Sequence, residues 1–582
     1  MTVLTELKVP NHLKQWVVDQ NYSKYTAIDQ GVWRYVMRQN HNFLKDVAHE
    51  KYTTGLTESG ISINKIPKVE EMNECLRPFG WRAVTIDGFI PAVAFFSFQA
   101  NGILPIASEI RKLKNILYTP APDIIHEAAG HAPILCDPEY STFVKLLSSI
   151  GAKAIATKEE HEVFEAARAL SNLMETGIAS DEEIKKAENL LTEKQSAVKT
   201  VSEAEQIARL YWWTVEFGMI GTTDNPKIFG AGLLSSVGES ANSLTNKVKK
   251  LPFQLEHVIA TSFDISKQQP HLFVCENFEQ LTKEVLRFSE TMAFKKGGTE
   301  SLEKALKSEA TATVEMSSGL QVTGTVTNII KDEKDEAIFF KMEGPSTLSF
   351  ENKTLSGHGK DRHFHGFSSP IGKLKSTNKQ LEDFSAIDLI QHNIVIGERT
   401  TLLFESDVQV SGTVREIMKR DNKIILITLK EVTVTHNDKI LFEPEWGEFD
   451  LAVGSTITSV FGGAADPENF FQTEDINQSV GQIGANKLEH NCLDTMYEWI
   501  RNIREKGQVT FEDEQELRRI ENTLKVNFPK DWLLRLELVE LLHTNSILHE
   551  VELQLRSQLD KLSMVDDNLS ELINKGLKLL KS

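Results

Sequence analysis

The 582-residue chain is poor in cysteine: Cys75, Cys136, Cys275 and Cys492 lie far apart, and no two form a CxxC pair. That spacing excludes a disulfide framework and a cysteine-built zinc site. Long apolar runs are missing as well. The opening MTVLTELKVPNHLKQWVVDQ holds no apolar stretch of signal-peptide length, and nowhere do about 18 apolar residues follow one another. A reducing, cytoplasmic setting without a membrane span is the expectation. No Lys/Arg block stands out, and the net charge is −19. A nucleic-acid groove or an anionic-membrane patch needs a basic surface, so both partners are set aside.

The chain is too long for one hydrophobic core, so two to four domains are expected. Residues 1–305 read as a helix-rich unit. In IDQGVWRYVMRQNHNFLKDVAHE (28–50) apolar residues recur at three- and four-residue spacing. KEEHEVFEAARALSNLMETG and SDEEIKKAENLLTEKQSAV, with Ser180 as a cap, predict a helical hairpin with solvated faces. Residues 306–482 change texture to short β-branched runs between Gly, Asn, Asp and Lys turns. There QVTGTVTNII (321–330) is echoed by QVSGTVREIM (409–418), which predicts two related β-hairpin units packing into one sandwich or barrel. Residues 483–582 return to helical spacing without a sustained heptad. They predict a small helical domain, or an arm joining subunits of a homo-oligomer.

The strongest chemical signal is DIIHEAAGH, residues 123–131. Two nearby histidines beside a carboxylate suggest a metal. In HExxH the pair would sit about 40° apart on one face, whereas His126 and His131, five apart, are about 140° apart on an ideal α-helix. They can share an ion only if the helix distorts, near Gly130, or the side chains converge from its edges. Spacing alone excludes the zinc-peptidase geometry and leaves open a pair of unrelated polar groups. HGKDRHFHGF in the β region holds His358, His363 and His365. HxH on a strand would face both imidazoles one way, but the segment reads as an exposed polar loop.

Around the first histidine pair the chain resembles the pterin-dependent aromatic amino acid hydroxylases. YTPAPDIIHEAAGHAPILCDPEYSTF (118–143) is similar to that family's iron-binding signature. IARLYWWTVEFG (207–218), GAGLLSSVGES (230–240) and SKQQPHLFVCENFEQ (266–280) follow in the family's order. Upstream, IPKVEEMNECLRPFGWRAVTIDGFIP (66–91) is similar to bacterial members. The resemblance spans roughly residues 15–295. It implies a mainly α catalytic domain of hydroxylase type, followed by a β-rich domain and a C-terminal helical region.

The resemblance also supplies a third metal ligand, Glu216, beside His126 and His131. Two histidines and one carboxylate leave adjacent positions open, as non-haem Fe(II) requires. It further implies that Arg111 grips the substrate carboxylate, with Asp123 as its orienting partner. Thr119, Gly232 and Ser235 would contact the substrate backbone, and Pro122 and Trp212 would wall the ring. Phe95 would stack on tetrahydrobiopterin or a related reduced pterin, Gly88 and Ile90 would offer backbone contacts, and Glu127 would act catalytically between pterin and iron. Ala121 departs from the family, which usually has Glu there. The implied reaction is ring hydroxylation of a free aromatic amino acid with O2. Ile265 offers no partner to a phenol hydroxyl, which ranks phenylalanine first, tryptophan second and tyrosine last. Readings from other classes are a zinc hydrolase, separable by metal analysis, and a non-catalytic binding scaffold, separable by activity assay.

Overall fold

The computed structural model describes residues 7–88, 90–116, 122–176, 179–236, 238–265, 267–471 and 492–580. The first long helix, Ala27–Val47, opens on a capping box: Thr26 accepts from Asp29 N, and the Asp29 carboxylate accepts from Thr26 N. Its buried stripe includes Val32, Val36 and Leu44. This helix lies in the largest core, which also takes in Met496, Leu517, Leu538 and Ile573 from the far end of the chain. The tail helices, among them Cys492–Lys506 and Leu533–Asn545, therefore dock on the first helix of their own chain. Arg34 holds them through Glu537 at 2.7 Å and Glu540 at 2.5 Å, while Tyr35 Oη donates to Leu572 O. Arg504 also binds Glu537.

The helical hairpin consists of Lys158–Thr176 and Asp181–Ala197, with Ser180 and Glu183 forming the second helix's capping box. Two small sheets join the helices. Arg82–Ile86 runs parallel to Ile103–Ala107, and Met219–Thr222 leads a four-stranded sheet directly after Glu216. Strand alternation gives the first sheet its own apolar face, where Ile86, Ile90 and Phe98 pack together.

In the β-rich region each copy of the internal echo occupies a 12-residue strand, Leu320–Lys331 or Gln409–Arg420. Each pairs antiparallel with a 14-residue neighbour, Ala337–Phe350 or Lys423–His436. The two units build separate sheets, one of six strands and one of five. Their cores interlock: Ile338 and Phe339 of the first sheet sit in the second unit's cluster, and Ile425 and Leu426 of the second sit in the first's. Among the described residues no helix is long and apolar enough to cross a membrane.

Candidate metal centre

The histidine spacing that does not suit an α-helix is resolved by the backbone. Ile125–His131 is a π-helical turn, and Trp212–Glu216 is a second one. Bonding i→i+5 closes a turn in fewer than five residues, so side chains five apart return to nearly one face. His126 Nε2 lies 3.1 Å from Glu216 Oε2, and His131 Nε2 lies 3.2 Å from Glu216 Oε1. Gly130 permits this packing: a Cβ there would stand 2.7 Å from Ala231 O. Gly230 is equally constrained, since its Cβ would meet Glu216 O at 2.5 Å. The loop and short helix at 230–235 thus pack by backbone contact against both π turns.

That loop also orients His126. Ser235 Oγ donates to Ala231 O at 2.8 Å and lies 3.1 Å from His126 Nδ1. With its proton committed, the hydroxyl accepts from His126 Nδ1–H, which leaves Nε2 as the ring nitrogen that faces Glu216. Burial opposes a charge on His126, but the Glu216 carboxylate outweighs it and raises the imidazole pKa to about 9. Burial likewise opposes charge on Glu216, yet the two histidines hold its carboxyl well below the usual range. Burial pushes Glu127 up. Among the described residues its Oε2 finds no hydrogen-bond partner, nor does His131 Nε2, which lies off the bonding direction to Glu216. Three donors of the right chemistry thus point at one spot, one of them unsatisfied, and a cation there would take the place of the shared proton. The residues fit a metal held by two imidazoles and a carboxylate.

Beside this spot, Arg111 and Asp123 form a buried fork. Arg111 Nε and Nη2 each donate to Asp123 at 2.8 Å, Arg111 N donates at 3.0 Å, and His126 N donates to Asp123 Oδ1 at 3.1 Å. One carboxylate therefore fixes both the guanidinium and the start of the π turn. Trp212 stacks on Phe263 with centroids 4.4 Å apart and leans on Phe217 at 4.6 Å. No role was assigned from sequence to Phe217 or Phe263, although Phe217 lies inside the 207–218 motif and Phe263 just before the 266–280 motif. Phe95 is half-buried, braced edge-on by Tyr211 and Phe96. Gly88 takes a positive φ of 58°, and Ile90 is buried. Pro122 is exposed rather than enclosed. Gly232 lies against Phe217 and the Glu216 carbonyl. Thr119 and Ala121 lie outside the described residues.

The second histidine segment corrects an expectation. His358 and His363 are only 5% and 7% exposed, while His365 is exposed. The loop is pinned by backbone bonds from Leu348 N to His358 O and from Ser346 N to His363 O. It folds inward instead of lying in solvent.

The family model described as biopterin-dependent aromatic amino acid hydroxylase matches residues 18–191 and 194–314, just over half of the chain. A phenylalanine-4-hydroxylase of Mesorhizobium japonicum is 28% identical over 269 residues, 46% of this chain and 81% of that protein. The Dictyostelium discoideum phenylalanine-4-hydroxylase is 30% identical over 277 residues, covering 47% of this chain and 52% of its own length. A solved structure of Chromobacterium violaceum phenylalanine hydroxylase with bound oxidized Fe(III) aligns at 24% identity and a TM-score of 0.38, over 48% of this chain and 87% of that one.

Proposed function

Since the chain belongs to the biopterin-dependent aromatic amino acid hydroxylases, we propose that it hydroxylates the ring of free L-phenylalanine to give L-tyrosine, using O2, a tetrahydropterin and one Fe(II). The observation that carries this reading is the convergence of His126, His131 and Glu216 on two π turns, beside the Arg111–Asp123 fork. His126, His131 and Glu216 would hold the iron. Phe95, with the backbone near Gly88 and Ile90, would hold the pterin. Bound there, the iron and the reduced pterin would supply the oxygen activation for the hydroxylation, one oxygen atom going to the ring and the other to the pterin.

The chain's own residues supply position and dryness. Arg111 would offer its guanidinium to the substrate carboxylate, and Asp123 keeps that group from turning away. The Trp212–Phe263 stack gives the aromatic ring a rigid apolar wall. Anchoring the carboxylate at one end and the ring at the other fixes which ring carbon faces the metal. Glu127, buried and with no hydrogen-bond partner at Oε2 among the described residues, can hold a proton beside the metal spot. The half-exposed Ile265 is apolar and adds no partner for a phenol.

The test is one assay with purified protein, ferrous iron, O2 and tetrahydropterin, run on phenylalanine, tryptophan and tyrosine side by side. Tyrosine formation from phenylalanine supports the proposal, and preferential tryptophan hydroxylation transfers the substrate assignment. His126→Ala should abolish turnover; an active variant overturns the ligand set. Metal analysis finding zinc, with no iron-dependent product, returns the site to hydrolase chemistry.

A further inference from the structure

The β-rich region lies largely beyond the family match and carries a second convergence of ligand atoms. We propose that His358, His363 and Asp450 bind a divalent transition-metal ion of the zinc class, with a fourth position left to water. The loop Leu355–His365 follows the short strand Lys353–Thr354 of the six-stranded sheet. Asp450 lies on Phe449–Ala452, a strand of the five-stranded sheet. The ion would therefore tie the two sheets together.

The distances make the case. His358 Nδ1 lies 3.4 Å from His363 Nε2, and each lies 3.8 Å from Asp450 Oδ2. All three separations exceed the roughly 2.7–3.2 Å of an ordinary N–H hydrogen bond, so the groups satisfy one another poorly. Yet a point about 2.1 Å from all three atoms exists, which is the length of zinc–imidazole and zinc–carboxylate bonds. Small inward adjustment would give tetrahedral edges. Both imidazoles are buried, where an unpaired polar nitrogen is costly.

The surrounding contacts are those of an outer shell that orients ligands. Asp450 Oδ1 accepts from Thr428 Oγ1 at 2.6 Å and from Arg362 Nη2 at 3.0 Å. Among the described residues Oδ2 accepts only from Arg362 Nε, at 2.7 Å, and keeps a lone pair toward the histidines. Arg362 is itself shared with Glu448 at 3.1 Å, which offsets its charge near a cation. Phe367 sits edge-on to His363 at 5.5 Å and limits its rotation. The histidines stand five apart, as His126 and His131 do, but on a loop turn instead of a π-helix.

The experiment strips the full-length protein with a chelator, dialyses it against zinc alone and counts metal per chain by mass spectrometry. The wild type should retain two equivalents, H126A/H131A one, and H358Q/H363Q one. Asp450→Asn, which preserves the shape of the carboxylate, should weaken the second site tenfold or more, with folding checked by circular dichroism. Cobalt substitution in H126A/H131A should give visible absorption that H358Q/H363Q added to that background removes. The proposal fails if the wild type retains a single equivalent that H126A/H131A abolishes. It fails equally if zinc content is indifferent to His358, His363 and Asp450.

Discussion

Replacing Asp123 by asparagine isolates what the buried fork contributes. The carboxylate accepts four hydrogen bonds, three from Arg111 and one from His126 N, and both fork side chains are under 5% exposed. Asparagine keeps the shape but places an amide N–H₂ against a guanidinium N–H and removes the countercharge. Breaking a buried pair from one side leaves the other charge uncompensated, at a cost of about 3–5 kcal/mol. Thermal denaturation should fall by on the order of 10 °C, given the few degrees that each kcal/mol is worth in a domain of this size. The KM for the aromatic amino acid should rise roughly tenfold or more, about 1.4 kcal/mol of lost carboxylate binding. Iron content should remain near one per chain, because no ligand is altered. Removing both partners, in Arg111→Gln with Asp123→Asn, should destabilise by less than the sum of the single changes. A loss under about 1 kcal/mol with KM unchanged, or strict additivity in the double variant, would refute the reasoning.

Three further outcomes follow from named contacts. Ser235→Ala removes the acceptor that orients His126 Nδ1–H; iron affinity should drop about 10–100-fold with melting temperature little changed, and equilibrium dialysis against iron checks it. Glu239 has its pKa raised from 4.5 to about 6, because burial disfavours the carboxylate while the Gln269 N–H only partly offsets this. The folded state therefore holds the proton more tightly than the unfolded chain, so this contribution is complete below pH 4.5 and lost as pH rises through about 6. Relative to Glu239→Gln, wild-type stability in urea titrations should fall by about 2 kcal/mol from pH 4.5 to pH 8; parallel pH profiles would contradict it. Arg34→Met leaves Glu537 and Glu540 facing the first helix with one cation fewer. It should cost about 3 kcal/mol and expose the tail helices to limited proteolysis, whereas an unchanged cleavage pattern would mean that docking of the tail does not depend on Arg34.

Much of the helical layout was legible in local pattern. The stripe in residues 28–50 and the Ser180 cap are properties of side chains within one turn of each other, and both appear as expected. The strand echo was also visible, since alternation and turn residues are local. Its detail was not: two units packing into one sandwich or barrel were expected, and each unit builds its own sheet, with cores that exchange residues. Which apolar face meets which depends on long-range packing that a 10-residue repeat does not encode.

The sequence by itself determined the family, because four motif blocks stand in order, and with it the set of residues that approach the first metal spot. The tertiary structure decided whether they can meet. On an α-helix His126 and His131 diverge; the π turns, and the loop that closes against Gly130, bring both to Glu216. The same distinction governs the second cluster. His358 and His363 read as a solvated loop because their third partner, Asp450, lies 87 residues beyond His363 on another sheet, and burial is decided by folding, not by neighbours in the chain.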